Sequence, residues 1–569
     1  MKRDSGKNKF TVRAGRGSAA FVMIAAWLIS CAGGPSGRAS MSAYGLPEGG
    51  GPLDAEPRPG VVDRNELTVA FFSGEAELDF RKSYLASEAQ IFTALYEGLF
   101  SYHPFTMEPV PAAAEKWEIS EDKKVWTFTL RAGAKYWNGD AVRSDDFRAA
   151  WLSLLSPGRD SPYSSLFDII AGARDYRTGA LSSPDKVGIE TPDSRTLIVR
   201  LNSPASFFSA MLCHHSFSPI HPSMLGKEDW SAEPPVSNGP FYITRREANT
   251  LILEKNQHYW DAANVSLKKL TFRYTEDRDE CTAYWNSGEA RWVSGDINFD
   301  AMTDRSGIMV NALFATHYYF IRAVKTPWED HRLRRALSIS LPWDQIREGL
   351  YLPAKTLIYR LPGYPEVPGI EETDIKEAKR LLAEAGYPGG KGLPELVIRL
   401  SSSKDAARIG GLMAAAWMQE LGLAVKIDIV PSDQYFQALR RNDYDVGFST
   451  WIGDFADPYT FLQMWRRDSN LNEAKFDDAD YEALINRSMT EDGEKRWQTL
   501  AEAEKLLLER GAVLPISFSS ALNIVDMDEL GGWFPNALDI HPFKYLSFKA
   551  FKALPGIALA AETSGDGYY

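Results

Sequence analysis

The chain has 569 residues, too many for one hydrophobic core and enough for roughly two to four domains. With 76 acidic against 63 basic residues and a formal charge of −13, it is no phosphate-backbone binder, so no nucleic-acid partner is expected. Three cysteines, Cys31, Cys213 and Cys281, exclude a disulfide scaffold and a multi-thiolate metal centre.

The first segment reads as an address. Residues 1–17 carry six basic side chains and one acid, and an apolar run Ala19–Ile29 follows, ending in Ser30-Cys31-Ala32-Gly33. That order describes a secretory signal, and the run is too short to span a bilayer, which takes roughly 20 residues. Leu28-Ile29-Ser30-Cys31 resembles a bacterial lipobox, which implies cleavage before Cys31 and acylation of its thiol. Residues 1–30 are then the signal peptide, and residues 31–62, rich in Gly, Pro and Ser, a flexible tether. The expected location is the bacterial cell envelope, exported and lipid-anchored. Export leaves no place for ATP or NAD chemistry, and no cofactor or metal is expected.

The folded part alternates strand and helix signals. Leu67–Phe72 reads as a buried strand, and Val125–Leu130 alternates with Trp126, Phe128 and Leu130 on one face. Ser144 is placed to cap a helix running to Leu155, and Thr196–Leu201 reads as a strand. Short strands are expected at Phe241–Thr244, Leu251–Glu254 and Leu270–Tyr274. From about residue 330 the grammar becomes βαβ. Asp374 caps a helix that Gly386 ends, followed by strand Leu396–Leu400, helix Ile409–Leu421, strand Val425–Val430, helix Asp433–Arg441 and strand Asp445–Thr450. An amphipathic helix Glu494–Arg510 and a strand Pro515–Ser519 complete the pattern. Residues 551–569 read as a disordered tail. The fold class is α/β.

No catalytic constellation stands out. The chain has no Gly-x-Ser-x-Gly elbow, no His-Glu-x-x-His and no Walker-type loop. Cys213-His214-His215 with His221 lacks the i, i+4 spacing that puts two imidazoles on one helix face, and reads as an ordinary loop. Asp454 and Asp457, three positions apart before Pro458, read as turn-formers rather than a glycosidase pair.

Several blocks, in order, resemble the peptide-binding proteins of ABC importers, the extracellular solute-binding family 5. They include Leu95-Tyr-Glu-Gly-Leu-Phe100, Val125-Trp-Thr-Phe-Thr-Leu-Arg131, Lys135-Tyr-Trp-Asn-Gly-Asp140 and Ser237-Asn-Gly-Pro-Phe-Tyr242. Further on come Asp330-His-Arg-Leu-Arg-Arg-Ala336, Ala378-Lys-Arg-Leu-Leu-Ala-Glu-Ala-Gly-Tyr387 and Trp451-Ile-Gly-Asp-Phe-Ala-Asp-Pro458. The resemblance implies a two-lobed periplasmic-binding-protein type II fold with an extra domain inserted in lobe I. Lobe I would be 63–88, 206–314 and 518–550, the inserted domain 89–205 and lobe II 315–517. Crossing segments near Thr316–Phe320 and Ser517–Ser520 would form the hinge.

In peptide-binding members the Asp matching Asp454 takes the ligand α-ammonium, and the residues before it pair with the peptide main chain. The implied ligand-binding set is Asp454, Trp451, Ile452, Gly453 and Tyr318, with Glu75 facing Asp454 from lobe I and Glu77 as the alternative. Two departures matter. Phe448 stands where the broad-specificity relative has an Arg for the ligand carboxylate, with Arg440 or Arg441 as conceivable substitutes. Ala315 and Ile452 match the two halves of that relative's cleft-side disulfide. Whether Cys213 and Cys281 pair is not readable.

The expected function is the substrate-binding component of an ABC importer, non-enzymatic and monomeric. Its partners would be a peptide ligand, a permease with its ATPase, and the membrane through the lipid anchor. The same fold could take a nickel chelate, haem or a glycan, and a surface sensor or adhesin is the reading from a different class.

Overall fold

The computed structural model describes residues 63–549 other than 84, 160, 228, 229, 231, 232, 325, 432, 433, 440, 442, 468 and 470. The signal, tether and tail readings, Cys31 and Arg440 lie outside these residues. No helix among the described residues is long and apolar enough to cross a membrane.

A ten-stranded mixed sheet runs through the molecule. Its order is Val425–Val430, Leu396–Ser401, Val446–Ile452, Ile308–Ile321, Val513–Val525, Trp292–Ser294, Glu66–Phe72, Lys269–Thr275, Thr250–Lys255 and Phe241–Glu247. The two central strands are long, 14 and 13 residues, and belong to both halves of the sheet. They pair antiparallel from Ile308/Ile524 to Ala312/Ser520, then again from Thr316/Phe518 to Phe320/Val513. One register break separates these runs, between Ala312 and Thr316, and a second falls within the later run between His317 and Tyr318, at and beside the segments where the hinge is expected. The second crossing strand is far longer than the expected Pro515–Ser519. Most of it is buried on both faces, so it lacks the period-two pattern that marks a half-buried strand.

On one side of the crossing pair the βαβ grammar holds. Leu396–Ser401 pairs parallel with Val425–Val430, and meets Val446–Ile452 in parallel at Ile398/Val446. The helix between the first two, Lys404–Leu421, starts five residues before the expected Ile409, because the Ser403 hydroxyl accepts the Ala406 N–H at 3.2 Å. Asp374 caps Ile375–Glu384 through the Glu377 N–H at 2.9 Å. Within the helix expected over Asp433–Arg441, the described helix is Tyr435–Leu439.

A separate four-stranded antiparallel sheet, Ala114–Ile119, Val125–Leu130, Thr196–Arg200 and Ile189–Asp193, falls within 89–205. The helix Ser144–Leu154 covers it, with Phe147, Ala150, Trp151 and Leu154 buried. Ser144 is the first helical residue rather than the cap. Its hydroxyl donates to the Asp193 carbonyl, and the Asp146 carboxylate takes the Arg143 N–H at 2.8 Å.

Candidate functional site

The strand Val446–Ile452 pairs antiparallel with Ile308–Ile321 along its whole length, ending with Ile452 opposite Ala315. Its other edge meets a described strand only at Val446. The Gly453 N–H donates to the Phe314 carbonyl at 2.7 Å, which makes Ala315/Ile452 a non-hydrogen-bonded pair. The N–H and C=O of Ile452 therefore point to the free edge, as do those of Thr450 two residues earlier. Thr450 is held by its side chain. His317 Nδ1 lies 2.7 Å from its Oγ1, and His317 Nε2 lies 3.0 Å from Ser519 Oγ. Burial lowers the pKa of His317.

Beyond the strand, Gly453 sits against the Phe314 ring, where a Cβ would come 2.2 Å from Cδ1. Asp454 follows, its N–H donating to Thr460 Oγ1 at 3.2 Å. Ile452, Gly453 and Asp454 form one wall of a cavity of about 240 Å³. Burial pushes the Asp454 carboxyl up to about 6, against the lowering effect of the Thr460 hydroxyl. No cation among the described residues contributes to holding its charge.

Much of the facing wall is aromatic. Burial, with the Asp454 charge behind it, raises the phenol pKa of Tyr163, and Tyr102 is raised by burial, Cys213 and Asp454 together. Burial pulls His214 down to about 3 and His215 well below its ordinary value, so both are neutral. Lys544 also lines the cavity, 3.5 Å from Glu97. Glu97 in turn accepts the Tyr259 hydroxyl and the Trp260 indole N–H. The Lys544 charge is thus committed to Glu97. What remains is one uncompensated carboxylate in an aromatic pocket, a geometry suited to an ammonium group.

Trp451 and Tyr318 lie elsewhere. Side chains alternate along a strand, so Ser449 and Trp451 face away from the side shown by Thr450 and Ile452. With Tyr318 and Trp465 they line a second cavity of about 290 Å³. The indole N–H groups of Trp451 and Trp465 are buried without a hydrogen-bond partner among the described residues.

Glu75 does not line the cavity with Asp454. It is exposed, and its carboxylate takes the Arg246 guanidinium at 2.8 Å, so the expected opposition of Glu75 and Asp454 is absent from this structure. Glu77 is no substitute, because its carboxylate accepts the Asp79 N–H at 2.8 Å and it is not on the cavity wall. Phe448 lies parallel to His317 at 6.1 Å, and Arg441 is exposed. Cys213 and Cys281 are free thiols, and Cys213 lines the cavity.

Reading the sequence missed Tyr102, Tyr163, His214, His215 and Lys544 as cavity residues. The one signal available was Cys213-His214-His215, which reads as an ordinary loop when judged only by metal-ligand spacing. His221 is apart from that pair, with its ring nitrogens 2.7 Å from Ser223 Oγ and 3.1 Å from Asp140 Oδ2.

Comparison with known proteins agrees with this architecture. The model of the bacterial extracellular solute-binding proteins, family 5 Middle, matches residues 108–473. The chain is 28% identical over 471 residues to the oligopeptide-binding protein OppA of Bacillus subtilis, covering 78% of this chain and 85% of that protein. It is also 28% identical over 483 residues to the periplasmic murein peptide-binding protein MppA of Escherichia coli, covering 80% and 88%. The solved unliganded open form of the murein tripeptide-binding protein MppA matches with a TM-score of 0.74 at 26% identity, over 88% of this chain and 99% of that one. The chain belongs to the bacterial extracellular solute-binding proteins, family 5, and has their two-lobed type II fold.

Proposed function

We propose that this protein is the peptide-capturing component of an ABC importer, holding the ligand α-ammonium on Asp454 and its main chain on the free edge at Thr450 and Ile452. The observation that carries this reading is the Asp454 carboxylate, buried on a cavity wall with no cation among the described residues to balance it. An ammonium would supply the missing charge, and the adjacent strand edge would bond a peptide without regard to its side chains. The names of the relatives OppA and MppA point to peptides as well.

Closure of the two lobes about the crossing strands would trap the ligand, and a membrane permease with its ATPase would receive it. The register breaks in those strands support a hinge there. The division into lobe I (63–88, 206–314, 518–550), inserted domain (89–205) and lobe II (315–517) belongs to the same reading. So do a cleaved signal, a lipid anchor on Cys31, a monomeric state and the absence of catalysis.

Calorimetry with free-amine and N-acetylated tri-alanine tests the ammonium assignment. Leaving a buried ammonium unpaired costs about 3–5 kcal/mol. Asp454→Asn should therefore weaken the free-amine peptide by more than roughly a hundredfold. Acetylated peptide should bind the unaltered protein equally poorly. Equal binding of the acetylated and free forms would remove Asp454 from its role.

A further inference from the structure

We propose that the Tyr435 hydroxyl closes the ligand-pairing edge, so that a bound peptide pairs its main chain through residues 1 and 3 and leaves the strand before residue 5. The inference rests on the peptide reading above and adds a specificity-determining residue to it.

The edge is bounded at one end by the way the sheet opens. Leu396–Ser401 and Val446–Ile452 run parallel and touch at Ile398/Val446 alone. Immediately past that contact stands Tyr435, 2% exposed, on the helix Tyr435–Leu439. Its hydroxyl accepts the Phe448 N–H at 2.7 Å, and lies 3.2 Å from both the Phe448 and Arg399 carbonyls, to which its one hydrogen can be donated. Phe448 shares the parity of Thr450 and Ile452, so these are the groups it turns toward the free edge. One phenol thus takes the outward N–H of Phe448 and stands over its outward C=O, bridging the two strands where they part. Burial pushes its pKa up to about 12, so near neutral pH it keeps the proton it donates.

At the other end stands Asp454, two residues beyond Ile452. A peptide with its amine on Asp454 runs antiparallel to the strand, at about 3.4 Å per residue. Its residue 1 lies opposite Ile452 and its residue 3 opposite Thr450, both with free pairing groups. Residue 5 would fall opposite Phe448, whose N–H is taken and whose C=O is covered by the same hydroxyl. Main-chain affinity accrues over the first three residues, and longer ligands gain only what their side chains and carboxylate find elsewhere.

The test is calorimetry on the full chain with free-amine tri-alanine, penta-alanine, and penta-alanine N-methylated at residue 3 or at residue 5. Methylation at residue 3 should cost at least tenfold in Kd, and at residue 5 less than twofold. In Tyr435→Phe, which frees Phe448, the residue-5 penalty should appear, penta-alanine should tighten and tri-alanine should not change. Equal penalties at residues 3 and 5 in the unaltered protein would overturn the proposal. So would a Tyr435→Phe variant that weakens both peptides alike, the mark of a purely structural hydroxyl. If penta-alanine binds and methylation at residue 3 costs nothing, the pairing is wrong while the peptide reading stands. If no free-amine alanine peptide binds, the peptide reading fails and this inference with it. The methylation comparison needs no variant, so it decides the question even if Tyr435→Phe does not fold.

Discussion

Ala315 and Ile452 stand directly opposite each other across two antiparallel strands, in a pair that exchanges no main-chain hydrogen bond. Such pairs hold their Cα atoms about 4.5 Å apart, within the roughly 4.4–6.8 Å that a disulfide spans. The family resemblance would make these the two halves of a cleft-side disulfide. Restoring both halves, A315C with I452C, should therefore give a bond on air oxidation, identified as a linked peptide pair in a non-reducing digest. Ile452 is 65% exposed, so truncating it costs little packing. Reductant should lower the denaturation midpoint of the double variant and leave the unaltered chain where it was. Two free thiols after oxidation would mean that the register is wrong.

Asp457 does a different job from Asp454, three residues away. Its two carboxylate oxygens take the Arg496 guanidinium at 2.5 and 2.8 Å, with both side chains buried, and one of them also accepts the Tyr459 N–H at 2.9 Å. Asp457→Asn strands a buried guanidinium, which costs about 3–5 kcal/mol. Asp454→Asn removes a charge that no cation among the described residues balances, and should cost the empty protein no stability near neutral pH. Urea denaturation of the two variants side by side checks the contrast.

These neighbours show what a sequence can and cannot disclose. Trp451-Ile452-Gly453-Asp454 stood out only through the family resemblance, because residue pattern alone ended the strand at Thr450, two residues short of Ile452. The Asp374 cap and the strands around Lys404–Leu421 were legible because caps and βαβ units are local. Which acid is tied to a distant cation was not local. Arg496 commits Asp457, and Arg246, from a strand far along the chain, takes Glu75 away from the cleft. The wall facing Asp454 draws Tyr102, Tyr163, His214 and Lys544 from separate segments, and no periodicity marks such a convergence. Nor does the sequence show that the side chain of Tyr435 reaches back to cap a strand thirteen residues on.

The Asp454 carboxyl gives the empty protein and the complex opposite pH responses. Its folded pKa of about 6 lies above the unfolded value near 3.9. Between those limits the folded chain keeps a proton that the unfolded chain has lost, so its contribution to stability falls as pH rises from about 4 to 6. The loss, about 3 kcal/mol, persists above pH 6. Glu504, raised by burial to about 7, adds a slope of the same sign. Subtracting the unaltered protein from Asp454→Asn therefore isolates the Asp454 part. The difference should be near zero at pH 4 and favour the Asn variant above pH 6. Ammonium binding needs the charged carboxylate, so Kd for a free-amine peptide should rise about tenfold per pH unit below 6. Thermal melts and calorimetry over pH 4–8 read both.

Gly453 is required for space rather than for backbone conformation, since its φ is not in the left-handed region. An added Cβ would meet Phe314 Cδ1 at 2.2 Å, Cε1 at 2.7 Å and Thr460 Cγ2 at 3.0 Å. The Phe314 ring is 1% exposed and lies edge-on to Phe461 at 4.8 Å, so the core does not yield easily. The turn must move instead, taking Asp454 and its bond to Thr460 with it. Gly453→Ala should therefore cost about 1–3 kcal/mol of stability and weaken free-amine peptides as well. Phe314→Leu in the same chain opens the space. The double variant should bind more tightly than Gly453→Ala alone, a coupling that two independent lesions would not show. Strictly additive losses in Kd would mean that something other than the Phe314 contact fixes the position of Asp454.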